Sequence, residues 1–182
     1  MPAQFPEYTN GAAPPPRMGE LVLQSVATRV FDAKREVWND AMTRGEMETA
    51  TELAAHVATL CAQHDVRVEW IERSKRAWAI RKHRAVRIYP VINQKRYATA
   101  LHEIGHIVGR RQSGRRIEQE WGAWEFALEA SIVEFTPATY RMIHRALTSY
   151  ILRYTHRKGA YLPPKGDPFW RFVEEIADRA AF

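Results

Sequence analysis

The sequence predicts an α+β fold in which a small antiparallel three-stranded sheet packs on helices. Apolar residues recur at spacings of three and four up to about residue 64 and again from residue 93, and between these stretches they alternate strictly. Composition agrees with a globular chain, since 46% of the 182 residues are hydrophobic and 26% are charged. No uncharged apolar run reaches the roughly 18 residues that a membrane-spanning helix needs, so no membrane partner is expected.

Five of the ten prolines fall within the first 16 residues, so residues 1–19 read as a flexible proline-rich arm and 20–182 as a single domain, with a core over 46–135 and C-terminal helices over 137–182. From Glu20 to Met42, Leu23, Val26, Val30, Ala33 and Val37 suggest a helix. From Glu48 to His64, Ala50, Leu53, Ala54, Val57, Leu60 and Cys61 form one apolar stripe of another. Three short strands follow, around Val66–Ile71, Trp78–Ile80 and Val86–Ile88, with Lys82-His83-Arg84 as a hairpin turn and Pro90 ending the third. Asn93 is a good N-cap for a helix to Val108, stopped by Gly109. Helices are then expected over Ile117–Phe135, from Pro137 to His156, and from Pro168 onwards.

The net charge of +6 conceals an asymmetry, because Arg73–Arg116 carries 13 Lys/Arg and one acidic residue, Glu103. Such a segment favours an anionic partner, nucleic acid included, through long-range attraction. Met1-Pro2-Ala3-Gln4-Phe5-Pro6-Glu7 has neither the basic patch nor the apolar stretch of a secretory signal, which leaves a cytoplasmic address as the expectation. The single cysteine, Cys61, reads as a small core residue.

Within the helix from Asn93 lies Leu101-His102-Glu103-Ile104-Gly105-His106, the HExxH pattern. Histidines four residues apart stand one turn above each other, so both imidazoles can reach one Zn²⁺ at about 2.0–2.1 Å. Glu103 lies about 100° round the helix from His102, able to touch a metal-bound water as the catalytic carboxylate without ligating the metal.

A catalytic zinc needs a third protein ligand. The extended pattern HExxHxxGxxH matches at Gly109 and fails at Gln112, and no aspartate occurs between Asp65 and Asp167. The following helix offers Glu118, Glu120, Glu125, Glu129 and Glu134. Glu120 and Glu125 border its apolar face of Ile117, Trp121, Trp124, Leu128, Ile132 and Phe135. Glu120 shares its edge with Ala123, Ala127 and Ser131, small residues that allow two helices to approach closely, as Gly105 does on the facing helix. Glu120 is therefore the first choice and Glu125 the alternative, with His144 as a distant histidine ligand in a third reading. Tyr97, His144 and Tyr140 are the candidates for a donor to a developing oxyanion, Tyr140 and His144 carrying core and surface readings respectively.

Ala100-Leu101-His102-Glu103-Ile104-Gly105-His106, followed by Glu120-Trp121-Gly122-Ala123-Trp124-Glu125-Phe126-Ala127, resembles the small zinc metallopeptidase-like proteins of phages and mobile elements related to the ImmA/IrrE family. The resemblance covers about Val66 to Phe135. It implies a gluzincin-like fold and a zinc-dependent protease that hydrolyses a protein or peptide substrate, such as a repressor-type DNA-binding protein. His102, His106 and Glu120 would hold the metal and Glu103 would serve catalysis. The basic segment supports a competing expectation, a nucleic-acid-binding or antirepressor protein with a non-catalytic zinc site.

Overall fold

The computed structural model describes residues 44–71, 76–156 and 161–181, which belong to one compact unit. The expected arm over 1–19 and the helix expected over 20–42 lie outside the described residues. In chain order the elements are α1 (Arg44–Gln63), β1 (Arg67–Trp70), β2 (Trp78–Ile80), β3 (Ala85–Ile88), α2 (Gln94–Val108), α3 (Arg116–Glu129), α4 (Pro137–Thr155) and α5 (Pro168–Ala181). The mixed α+β class is therefore as expected. No helix among the described residues is long and apolar enough to cross a membrane.

The sheet departs from the expected all-antiparallel arrangement. Its order is β1-β3-β2, with β2 antiparallel to β3 and β1 parallel to it. A three-residue 3-10 turn, Arg81–His83, closed by Arg84 in the left-handed region, folds β2 back on β3 as the turn chemistry suggests. Ala85, Val86 and Ile88 of β3 are almost wholly buried. That strand takes the centre, where both neighbours satisfy its backbone, while β1, carrying Arg67 and Glu69, takes an edge. The stretch between β1 and β2 is long enough to step past one strand, about 10 Å across the sheet. A local alternation pattern cannot reveal which strand is skipped.

α1 presents Ala50, Leu53, Val57 and Cys61 to the core, and burial pushes the Cys61 thiol up to about 12. α2 starts as predicted: the Asn93 side chain accepts a hydrogen bond from the Arg96 N–H at 3.0 Å. It ends at Gly109, but in extended backbone rather than the left-handed region. Glycine is favoured there by crowding, since a Cβ would lie 2.5 Å from the Gly105 carbonyl oxygen and 3.0 Å from that of Gly122. α3 stops at Glu129, six residues before the expected end. The chain turns out of the helix because the Ser131 hydroxyl donates to the Val133 carbonyl at 2.8 Å and the Ile132 N–H donates to the Tyr97 hydroxyl at 3.2 Å. Ile132, expected on the apolar face, is 55% exposed, whereas Phe135 reaches the core from the connection and packs edge-on against Tyr97 and Tyr140.

α4 begins with Pro137 at its first turn and buries Tyr140, Ile143 and Leu147. α5 packs against it through Phe169, Ile176 and Ala180, with the Asp167 carboxylate accepting from the Phe169 N–H at 2.9 Å. The pair is tied together outside the core: the Tyr140 hydroxyl donates to Glu134 at 2.7 Å and accepts from Arg179 at 2.7 Å.

α2 and α3 pack backbone to backbone. A Cβ on Gly105 would sit 2.6 Å from the Ala123 carbonyl oxygen and 2.9 Å from its Cα, and one on Gly122 would overlap the Arg110 carbonyl oxygen. Helix propensity alone would make Gly105→Ala stabilising by about 1 kcal/mol. The clash is with backbone, which cannot rotate away, so Gly105→Ala is expected to destabilise the protein by about 1–3 kcal/mol. Urea unfolding followed by circular dichroism measures this, and an increased midpoint would contradict the packing described.

Candidate metal centre

The amphipathic register of α2 turns His102 and His106 to one side, and the glycine-mediated approach of α3 brings Glu120 up to them. His102 Nε2 lies 3.3 Å from Glu120 Oε2, and His106 Nε2 lies 3.5 Å from Glu120 Oε1. One ligand atom from each of the three residues falls within 4.8 Å of the others, and all three residues are buried. This group could hold a metal ion.

Electrostatics suit that role. Burial pushes the His102 imidazole down to about 4, so it is neutral, the form that offers a lone pair. Burial by itself raises the Glu120 carboxyl, but the two imidazoles facing it outweigh that effect and hold it well below the usual carboxylate range. Arg116, one turn earlier on α3, places its guanidinium 2.6 Å from Glu120 Oε1 and keeps its outer half in solvent. A carboxylate 1% exposed would otherwise stand as a costly unpaired buried charge.

Glu103 lies on the same wall. Burial pushes its carboxyl up to about 7, with the His106 imidazole and the Ala79 N–H of edge strand β2 acting in the opposite direction. His102, Glu103, His106 and Glu120 line one small cavity of about 160 Å³, together with Ala77, Trp78 and Ala79 of the β2 segment and with Arg81, Arg116 and Tyr150. The His102 ring is stacked on Trp124, with centroids 4.0 Å apart and planes 28° from parallel, while its Nδ1 has no hydrogen-bond partner among the described residues. Trp124, expected in the core, is thus also the surface that sets the plane of this imidazole.

Other residues singled out by sequence are used elsewhere. Glu125 faces Arg111 at 3.4 Å and is not part of the three-residue group. Tyr97, fully buried, directs its hydroxyl to His56 Nδ1 at 2.7 Å and to the Ile132 N–H, away from the cavity. Tyr140 is committed to Glu134 and Arg179, and His144 is not among the residues that line the cavity. Sequence reasoning overlooked Arg116 and Tyr150. The four-residue step from Arg116 to Glu120 was visible as an ion-pair spacing, but Tyr150 belongs to the α4 stripe and carries no local sign of reaching the site. Its hydroxyl is 3.5 Å from the Arg116 guanidinium.

The chain matches no protein-family model, no curated protein and no solved structure. The site therefore stands on its own geometry.

Because the Tyr97 hydroxyl serves two partners remote from the cavity, Tyr97→Phe is expected to lower stability by about 1–3 kcal/mol. Metal affinity should stay within twofold of wild type. Chemical denaturation and a chelator competition assay measure the two quantities, and a tenfold loss of affinity would place Tyr97 in the site after all.

Proposed function

We propose that this chain is a zinc-dependent metallopeptidase-like hydrolase, of the kind that the resemblance to ImmA/IrrE-related proteins implies, acting on a protein or peptide substrate. The observation that supports it most is the buried convergence of two imidazole nitrogens and one carboxylate beside a second, separate carboxylate. His102, His106 and Glu120 form a donor set suited to Zn²⁺. When bound, such an ion polarises a carbonyl group and makes water acidic enough to be a nucleophile near neutral pH.

The chain's own residues supply the remainder. Glu103, on the cavity wall beside the three-residue group, takes a proton from the attacking water and later passes it to the departing amine. Arg116 and Tyr150, at the cavity, donate hydrogen bonds to the oxygen on which negative charge develops. β2 ends the sheet next to the cavity, and an extended peptide laid beside it would find main-chain groups to pair with.

The competing nucleic-acid reading is weakened by the way the basic segment is used. Arg87, Arg110, Arg111 and Arg116 face Glu69, Glu129, Glu125 and Glu120 respectively, so four of its positive charges already have carboxylate partners.

Glu103→Gln removes the proton acceptor while preserving size, so peptide hydrolysis by the zinc-loaded protein is expected to fall by about 10²- to 10⁴-fold with zinc retained. A peptide library analysed by mass spectrometry provides the readout. Undiminished cleavage by the Glu103→Gln protein would overturn the assignment.

A further inference from the structure

Gln112 occupies the place where the extended HExxHxxGxxH pattern would put a third histidine. The structure gives it another use. Its side-chain Nε2 lies 3.0 Å from the Arg110 carbonyl oxygen and 3.0 Å from the Gln119 carbonyl oxygen. Carbonyl oxygens only accept, so the atom between them must be the amide nitrogen, and the orientation of the amide is thereby settled. Oε1 then faces His106 Nδ1 at 3.3 Å. An amide oxygen also only accepts, so Nδ1 must carry the hydrogen. With the hydrogen on Nδ1, the nitrogen left for a metal is Nε2, which faces Glu120 and gives up any proton it shares with that carboxylate when the metal binds.

We infer that Gln112 is a positioning residue for the metal site: by accepting from His106 Nδ1 it fixes the imidazole tautomer and ring orientation that present Nε2 to a metal. This rests on the metal-binding reading above. The two histidines are thus held by different devices, His106 by a hydrogen-bond acceptor and His102 by the face of Trp124. Gln112 is itself well anchored. Besides the two bonds its side-chain amide donates, its backbone carbonyl oxygen accepts from the Arg81 guanidinium, which links the β2–β3 turn to the loop between α2 and α3. Ligating histidines generally have such a partner on the other ring nitrogen, and its loss typically lowers metal affinity by about 10- to 100-fold.

The test separates the acceptor from the loop brace. Gln112→Met keeps the length and removes both functions, whereas Gln112→Glu keeps an acceptor oxygen towards His106 and loses the two donated bonds. Zn²⁺ affinity is measured by chelator competition for wild type and both variants, with circular dichroism to confirm folding. Gln112→Met is expected to bind Zn²⁺ about 10- to 100-fold more weakly, and Gln112→Glu, which keeps the acceptor but sets its second oxygen against the Arg110 and Gln119 carbonyl oxygens, to lose clearly less. In the zinc-loaded wild type, ¹⁵N-edited NMR should show a His106 Nδ1–H protected from exchange, and this signal should lose its protection in Gln112→Met. Equal affinity of Gln112→Met and wild type, or equal losses in Met and Glu variants, would overturn the inference. The absence of zinc binding by the wild type would instead refute the metal reading itself. The NMR signal in the wild type needs no variant, so an unfolded Gln112→Met protein leaves the inference testable.

Discussion

The backbone-to-backbone contact between α2 and α3 is the constraint on which the site depends. At Gly105 no side chain separates the helices, and Ala123 meets it directly; one turn on, Gly109 and Gly122 repeat the arrangement. A glutamate side chain is short, so its carboxylate reaches two imidazoles on a neighbouring helix only if the helices lie this close. Substituting larger residues at these positions would both strain the core and withdraw Glu120 from His102 and His106. Packing and chemistry thus share the same few residues.

That closeness creates an electrostatic requirement. Glu120 is one of the least exposed side chains in the protein, yet the two imidazoles and Arg116 around it hold it ionised. Desolvating a charge costs several kcal/mol unless it is compensated. Arg116 supplies part of that compensation from the solvent side, and a bound cation on the histidine side would supply the rest. Glu103 lies under the opposite influence, where burial dominates and raises its carboxyl. Two glutamates in one cavity are therefore driven apart in acidity by their surroundings, one suited to hold a cation and the other to exchange a proton.

Much of the local structure was legible in the sequence, because periodicity and capping act over a few residues. The α1 stripe, the Asn93 cap, the proline starts of α4 and α5 and the HExxH face of α2 all follow from neighbours in the chain. That Glu120 rather than Glu125 comes to lie beside the two histidines was also available, since it followed from helical geometry and the small residues along one edge. What escaped depends on distant partners. The strand order was hidden because alternation does not say which strand becomes central. The early end of α3 arises from a hydrogen bond to Tyr97, 35 residues away. Tyr150 drew no notice and Gln112 was read as a failed ligand, because their roles exist only once α4 and the α2–α3 loop are folded against the site.

The most direct test of the central claim is the zinc content of the purified protein by elemental mass spectrometry. The account predicts close to one zinc per chain in the wild type, lost in His102→Ala and Glu120→Ala and kept in Glu125→Ala. A wild-type protein without zinc even after reconstitution, or one whose zinc depends on Glu125 and not on Glu120, would contradict it.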